Sequence, residues 1–197
     1  MYRKDRQKEH YTEKAHKEGY PARSIYKLKE INEKFKVIKP GDIVLDLGCV
    51  PGSWLIYCSD VVGFKGKVLG IDIDELIIPL PKNCIFLKED IFDLKSSKLK
   101  EYFKGYDVVA SDMAPSTSGV PFVDAGRSLE LSQRAFEISL DVLKPGGNFI
   151  CKVFESHEAN QFIKEVGKHF EFLKHARPKA VFKKSKEFYI VAKGLKS

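Results

Sequence analysis

The chain is poor in cysteine, with four in 197 residues, and no two of them stand at CxxC spacing or near a histidine. That excludes the usual zinc and dithiol patterns. Cys49, Cys58, Cys84 and Cys151 read instead as buried apolar residues of a reducing compartment. No apolar run approaches the length of a membrane span. Met1-Tyr2-Arg3-Lys4-Asp5 lacks the apolar core of a signal peptide, and the start of the chain is too rich in acids for a transit peptide. The expectation is a cytoplasmic protein with no membrane and no metal. There is also no internal repeat.

What is present in excess is positive charge, and it is unevenly spread. The formal net charge is +7. Residues 1–36 hold 11 basic and 6 acidic residues, and residues 174–197 hold 8 basic and 1 acidic. The body between them holds 15 basic and 20 acidic. A polyanion such as RNA explains basic ends around an acidic body. Charge alone is explained equally by solvated lysine-rich tails. The length suits one domain with a full hydrophobic core. Residues 1–19 read as a basic, mobile N-terminal extension and residues 20–197 as that domain.

From Ser24, a plausible N-cap, Ile25, Leu28, Ile31 and Phe35 fall at helix spacing, and Lys39-Pro40-Gly41 stops the run. Short apolar runs then end in acids: residues 43–47, 68–72, 85–87 ahead of Glu89-Asp90, and 106–112. A fifth, 148–153, follows the turn Lys144-Pro145-Gly146-Gly147. Helical patterns occupy 126–143 and 157–169, and β-rich segments 170–175 and 187–192 close the chain. Near-continuous apolar strands alternating with helices predict an α/β fold, a parallel sheet covered on both faces. Two late strands close in sequence predict an antiparallel pair at one edge.

In such a sheet, ligands bind beyond the carboxyl ends of the strands. Asp46, Asp72, Asp90 and Asp112 fall there. The first loop, Asp46-Leu47-Gly48-Cys49-Val50-Pro51-Gly52-Ser53-Trp54, has glycines that let backbone approach a ligand. A dinucleotide oxidoreductase would carry GxGxxG to seat a pyrophosphate. Here the pattern is G-x-x-x-G, with Pro51 before the second glycine and an acid two residues before the first. An acid suits a cationic, phosphate-free ligand, and S-adenosylmethionine is one. Asp72 is placed to accept from ribose hydroxyls and Asp90 to take the adenine amino group. The alternative for any one of these acids is a helix cap or a solvated loop residue.

With these residues the sequence resembles the FtsJ/RrmJ-type family of ribosomal RNA 2′-O-methyltransferases, through nearly the whole chain. Gly19–Leu28 is similar to that family's N-terminal segment, and Asp46–Trp54 to its cofactor loop. Ser111-Asp112-Met113-Ala114-Pro115 with Ser118-Gly119 is similar to its central motif, and Ser185–Tyr189 to its last. The departures are Cys49, Val50, Ser53 and Ser116. The resemblance implies a Rossmann-like methyltransferase fold in residues 20–197. Its sheet would be mostly parallel and seven-stranded, with an antiparallel edge strand and helices on both faces. It also implies S-adenosylmethionine as cofactor, held by Asp46, Gly48, Gly52, Trp54, Asp72, Asp90 and Asp112. The family's Lys-Asp-Lys-Glu tetrad falls on Lys27, Asp112, Lys152 and Glu187.

Methyl transfer to a ribose hydroxyl needs a base, because the hydroxyl holds its proton tightly. An ordinary lysine is protonated and cannot serve. Desolvation and nearby positive charge favour the neutral amine. Lys152 interrupts an apolar strand, where an unpaired charge is costly. It is the expected base, with Lys27 steadying an alkoxide or phosphate. In isolation, Lys27 reads as an exposed helix lysine, Glu187 as an edge-strand charge and Trp54 as core filler.

Arg3, Lys4, Arg6, Lys8, Lys14, Lys17 and Arg23 at one end are candidate phosphate contacts, as are Lys174, Arg177, Lys179, Lys183, Lys184 and Lys186 at the other. Tyr20, Tyr26 and Phe122 are candidates for stacking on a base or for the core. Residues 115–126 read as a loop beside the site. The expected substrate is a uridine of large-subunit ribosomal RNA within an assembling particle, acted on by a monomer. Rivals are a transfer-RNA anticodon-loop methyltransferase of the same family and a non-catalytic RNA-binding assembly factor.

Overall fold

Alternation along each strand decides which face a residue serves. Val44, Val108 and Ile150 fall in one buried cluster; Leu45, Val109 and Cys151 fall in the other. The computed structural model describes residues 3–115, 119–182 and 185–197. Its elements are α1 (Arg3–Lys17), α2 (Ile25–Phe35), β1 (Ile43–Leu47), α3 (Ser53–Val62), β2 (Lys67–Asp72), β3 (Cys84–Lys88) and α4 (Ser96–Tyr102). They continue with β4 (Tyr106–Ser111), α5 (Pro121–Val142), β5 (Leu143–Phe154), α6 (His157–His169), β6 (Phe170–Ala176) and β7 (Glu187–Leu195).

The strands form a seven-stranded sheet in the order β3-β2-β1-β4-β5-β7-β6. β1 to β5 pair in parallel, while β7 runs antiparallel to both β5 and β6. The expected late pair is therefore at the edge, with β6 outermost and the antiparallel β7 one strand in. α2 and α3 cover one face through Leu28, Ile31, Leu55 and Cys58; α4, α5 and α6 cover the other through Leu99, Phe136, Phe162 and Val166. α6 shows the local logic. Ala159, Phe162, Ile163 and Val166 are buried at helix spacing, and the Ser156 hydroxyl caps the first turn by accepting from the Ala159 N–H at 3.1 Å. The chain builds outward from β1 to β3 and then returns to β4 beside β1. That reversal opens a crevice at the carboxyl ends of β1 and β4.

Some expectations need correcting. Residues 3–17 form a helix, whose second half docks through Ala15, which buries completely, and Tyr11, which packs on Tyr26 at 5.3 Å between ring centroids. Ser24 precedes α2 in a helical backbone conformation, so its side chain caps nothing. α5 starts at Pro121, ahead of the expected 126, since proline presets the backbone of a first turn. Part of the expected 115–126 loop is thus helical, and Ser116, Thr117 and Ser118 lie outside the described residues. β5 includes the expected turn at 144–147 and shows a register irregularity against β4 between Tyr106 and Val108. Among the described residues no helix is long and apolar enough to cross a membrane.

Candidate active site and cofactor cleft

The loop after β1 folds tightly against β2 and the segment after β4. Gly48 and Cys49 donate their N–H groups to Ile71 O at 2.8 and 3.2 Å. Gly48 has φ +76°, and a Cβ there would lie 2.4 Å from Met113 Cγ and 3.1 Å from its Cα; Gly52, at φ +109°, would meet Ile78 Cδ1 at 2.3 Å. Only glycine fits both the backbone conformation and the close approach. Asp72, ending β2, accepts from Val50 N–H at 2.8 Å and from Asp74 N–H at 3.0 Å. Between these parts lies a cleft of about 490 Å³, lined in part by Gly48, Asp72, Asp90, Phe92, Asp112 and Met113. Asp90 is exposed on its rim and accepts from Phe92 N–H at 2.9 Å.

Asp46 lies behind this cleft, fully buried, and no donor among the described residues reaches either carboxylate oxygen. Burial pushes its carboxyl well above the usual range, with the Asp112 and Asp72 charges adding to the effect. A buried orphan acid, two neighbouring carboxylates and a glycine-bounded loop together fit a cationic, phosphate-free cofactor better than a pyrophosphate. On that chemistry the residues suit S-adenosylmethionine. Gly52 and Trp54 do not line the cleft. Trp54 is buried beneath it, donating its indole N–H to Ser24 O at 3.0 Å, with its ring 5.9 Å from that of Tyr189.

The tetrad residues come together from four places in the chain. Lys152 on β5 pairs in register with Tyr189 on β7, on the sheet face that carries α2. Lys152 Nζ donates to the Asp112 carbonyl and stands 3.3 Å from Asp112 Oδ1. Lys27 Nζ, from α2, is 2.5 Å from Glu187 Oε1. An unpartnered buried ammonium would cost roughly 3–5 kcal/mol, so Lys152 in this strand requires Asp112. Burial pushes the Asp112 carboxyl up, but Lys152, Lys27 and the Tyr189 hydroxyl outweigh it and hold it below the usual range.

Sequence reasoning missed the part played by Tyr189. Its hydroxyl is 2.6 Å from Asp112 Oδ1 and 3.0 Å from Glu187 Oε1, and so joins the two ion pairs into one network. Its ring is fully buried, and that burial together with the two carboxylates pushes its phenol well above the ordinary value. The signal was strand alternation: a residue two beyond Glu187 must share its face. Arg134 of α5 was missed as well. Its guanidinium donates to Ile91 O at 2.9 Å and Leu94 O at 2.7 Å, holding the loop that forms one wall of the cleft. The Lys98–Glu89 ion pair steadies the same wall.

The candidate RNA residues are more scattered. Arg3, Lys4 and Arg6 lie in the first turns of α1, and Lys17 is exposed in its last. Arg23 stacks its guanidinium 4.4 Å from the centroid of Phe182. Lys179 is exposed, and its backbone N–H donates to Glu30. Lys183 and Lys184 lie outside the described residues. Tyr26 is core, while Phe122 is 83% exposed. The four cysteines are all buried and unpaired, and burial pushes the Cys84 thiol up to about 11 and Cys151 to about 12.

Comparison with known proteins identifies relatives of the chain. The family model described as FtsJ-like methyltransferase matches residues 20–195. A ribosomal RNA large subunit methyltransferase E from Desulfatibacillum aliphaticivorans is 45% identical, over 93% of this chain and 89% of its own length. The protein of the same name from Bdellovibrio bacteriovorus is 41% identical, over 93% of this chain and 95% of its own. A crystal structure of a ribosomal RNA methyltransferase from Plasmodium falciparum superposes with a TM-score of 0.79 at 28% identity, over 89% of this chain and 98% of that one.

Proposed function

Because the chain belongs to the FtsJ-like methyltransferase family, we propose that it methylates a ribose 2′-hydroxyl of RNA from S-adenosylmethionine, with Lys152 as general base. The substrate we assign is large-subunit ribosomal RNA, and the methylated nucleotide a uridine. The names of the similar proteins support the first assignment. The observation that carries the reading is the largely buried Lys152–Asp112–Tyr189–Glu187–Lys27 network at the carboxyl edge of the sheet, beside an acid-lined cleft.

The bound cofactor supplies a methyl group already activated on a sulfonium. The protein's task is then to hold the hydroxyl in line and take its proton. Asp112 faces both parts of the site. Its carboxylate lines the cleft and fixes Lys152 Nζ at the strand end. The Lys152 ammonium must shed its proton before it can act. Lys152 is buried at the strand end, and Asp112 Oδ1, 3.3 Å away, holds its Nζ in position. Lys27, held by Glu187, is placed to steady the developing alkoxide or a neighbouring phosphate. Asp72 would accept from ribose hydroxyls, Asp90 would take the adenine amino group, and Asp46 would stand behind the cationic end. The basic residues of α1, with Arg23 and Lys179, hold the RNA backbone, and the chain acts as a monomer in this reading.

The test is methyl transfer from a tritiated donor to unmethylated large-subunit ribosomal RNA, followed by nuclease mapping. Label on a single ribose 2′-oxygen is expected. Label on a base, or only in transfer RNA, would overturn the assignment.

A further inference from the structure

A second cavity lies on the other side of β7 from the tetrad. Glu187 and Tyr189 face α2, whereas Phe188 between them faces α6. The cavity is about 400 Å³. Its floor is apolar, with Ala159, Ile163 and Phe188 all buried, and its rim carries exposed Asn160 and His175. The His175 ring lies 5.2 Å from that of Phe188, tilted by 37°. The one acid in the lining, Glu155, is paired with Arg177 at 3.1 Å. Arg177 also donates to Ser185 O, which fixes the wall. Cavity and tetrad share a lip, where the Glu155 N–H donates to Lys186 O at 2.9 Å just ahead of the Phe154–Glu187 register pair.

We propose that this cavity receives the base of an RNA nucleotide adjoining the one presented to Lys152. The inference rests on the RNA methyltransferase reading and names a subsite for it. A base has an apolar face and an edge of alternating donors and acceptors. Buried Phe188 and the small aliphatic floor match the face. Asn160 and His175, each able to donate and accept, match the edge. An apolar peptide would use the same floor but would leave the polar rim without partners. Phe188 is adjacent in sequence to both tetrad-side residues, so the proposed path of the RNA crosses β7 between the two sites.

The test uses the full chain, isotopically labelled, titrated with uridine and adenosine 5′-monophosphates and observed by NMR. Shifts of the Asn160 amide and His175 ring that saturate in the millimolar range are expected. They should vanish in Asn160→Trp, an exposed helix position whose spectrum also reports an intact fold. That variant should raise the KM for ribosomal RNA about tenfold, as loss of one stacked base does, with kcat unchanged. Absence of shifts at these residues, or shifts given by an apolar peptide and not by nucleotides, would overturn the proposal. Methylation with an unaltered KM in Asn160→Trp sinks the subsite alone. Nucleotide shifts at the cavity in a protein that methylates no RNA sink the larger reading alone.

Discussion

Lys152 and Tyr189 stand opposite each other across the β5–β7 pair, and both reach the same carboxylate, Asp112. A strand register thus sets the position of the proposed base. β7 runs antiparallel and lies inside β6, which brings Glu187 to the carboxyl end of β5 and completes the link to Lys27.

Removing the Tyr189 hydroxyl takes away the one proton it can donate to the half-buried Asp112 and Glu187 carboxylates, leaving one of them short of a donor. Tyr189→Phe should therefore lower stability by about 1–3 kcal/mol in urea unfolding, the usual cost of an unsatisfied buried polar group. It should also lower kcat while leaving cofactor affinity unchanged. Unchanged stability and turnover together would show that the hydroxyl does not join the network.

Asp46 has a folded-state pKa above its unfolded value, so folding favours its protonated form. That contribution is present below the unfolded pKa, near 3.9, and is lost as pH rises through the raised value. Asp46→Asn escapes this loss. Its melting temperature should match the wild type in acid and exceed it increasingly toward neutral pH, while its affinity for the cationic cofactor falls. Melting curves that stay parallel across pH would contradict the buried orphan acid.

Asp72 holds the Val50 and Asp74 N–H groups and faces the cleft. Asp72→Ala removes an acceptor for the cofactor and loosens the loop. Calorimetry should show Kd for S-adenosylmethionine raised at least tenfold, since one charged hydrogen bond is worth about 1.5–3 kcal/mol. An unaltered Kd would place the ribose elsewhere.

The layered fold was legible because its strands carry near-continuous apolar runs and α6 a clear helical period. The grouping of Lys27, Asp112, Lys152 and Glu187 was expected from the family resemblance, and the position of Asp72 from the end of an apolar run. Tyr189 was not, since an aromatic residue in a strand reads as core until its register partner is known. Asp46 was read as a strand-end acid, yet it sits inside β1 between Leu45 and Leu47, and only the fold shows its isolation. α1 was misjudged because its polar composition hides the single small residue, Ala15, that docks it. Arg134 was invisible because its partners are backbone carbonyls 40 and 43 residues away.

The central claim is that Lys152 removes the proton from the attacking hydroxyl. Single-turnover methyl transfer by Lys152→Ala, measured beside calorimetric cofactor binding, tests it most directly. The rate should fall by about 10²–10⁴, the usual worth of a general base, with cofactor Kd near the wild-type value. Wild-type transfer in that variant, or a loss confined to cofactor binding, would contradict the account.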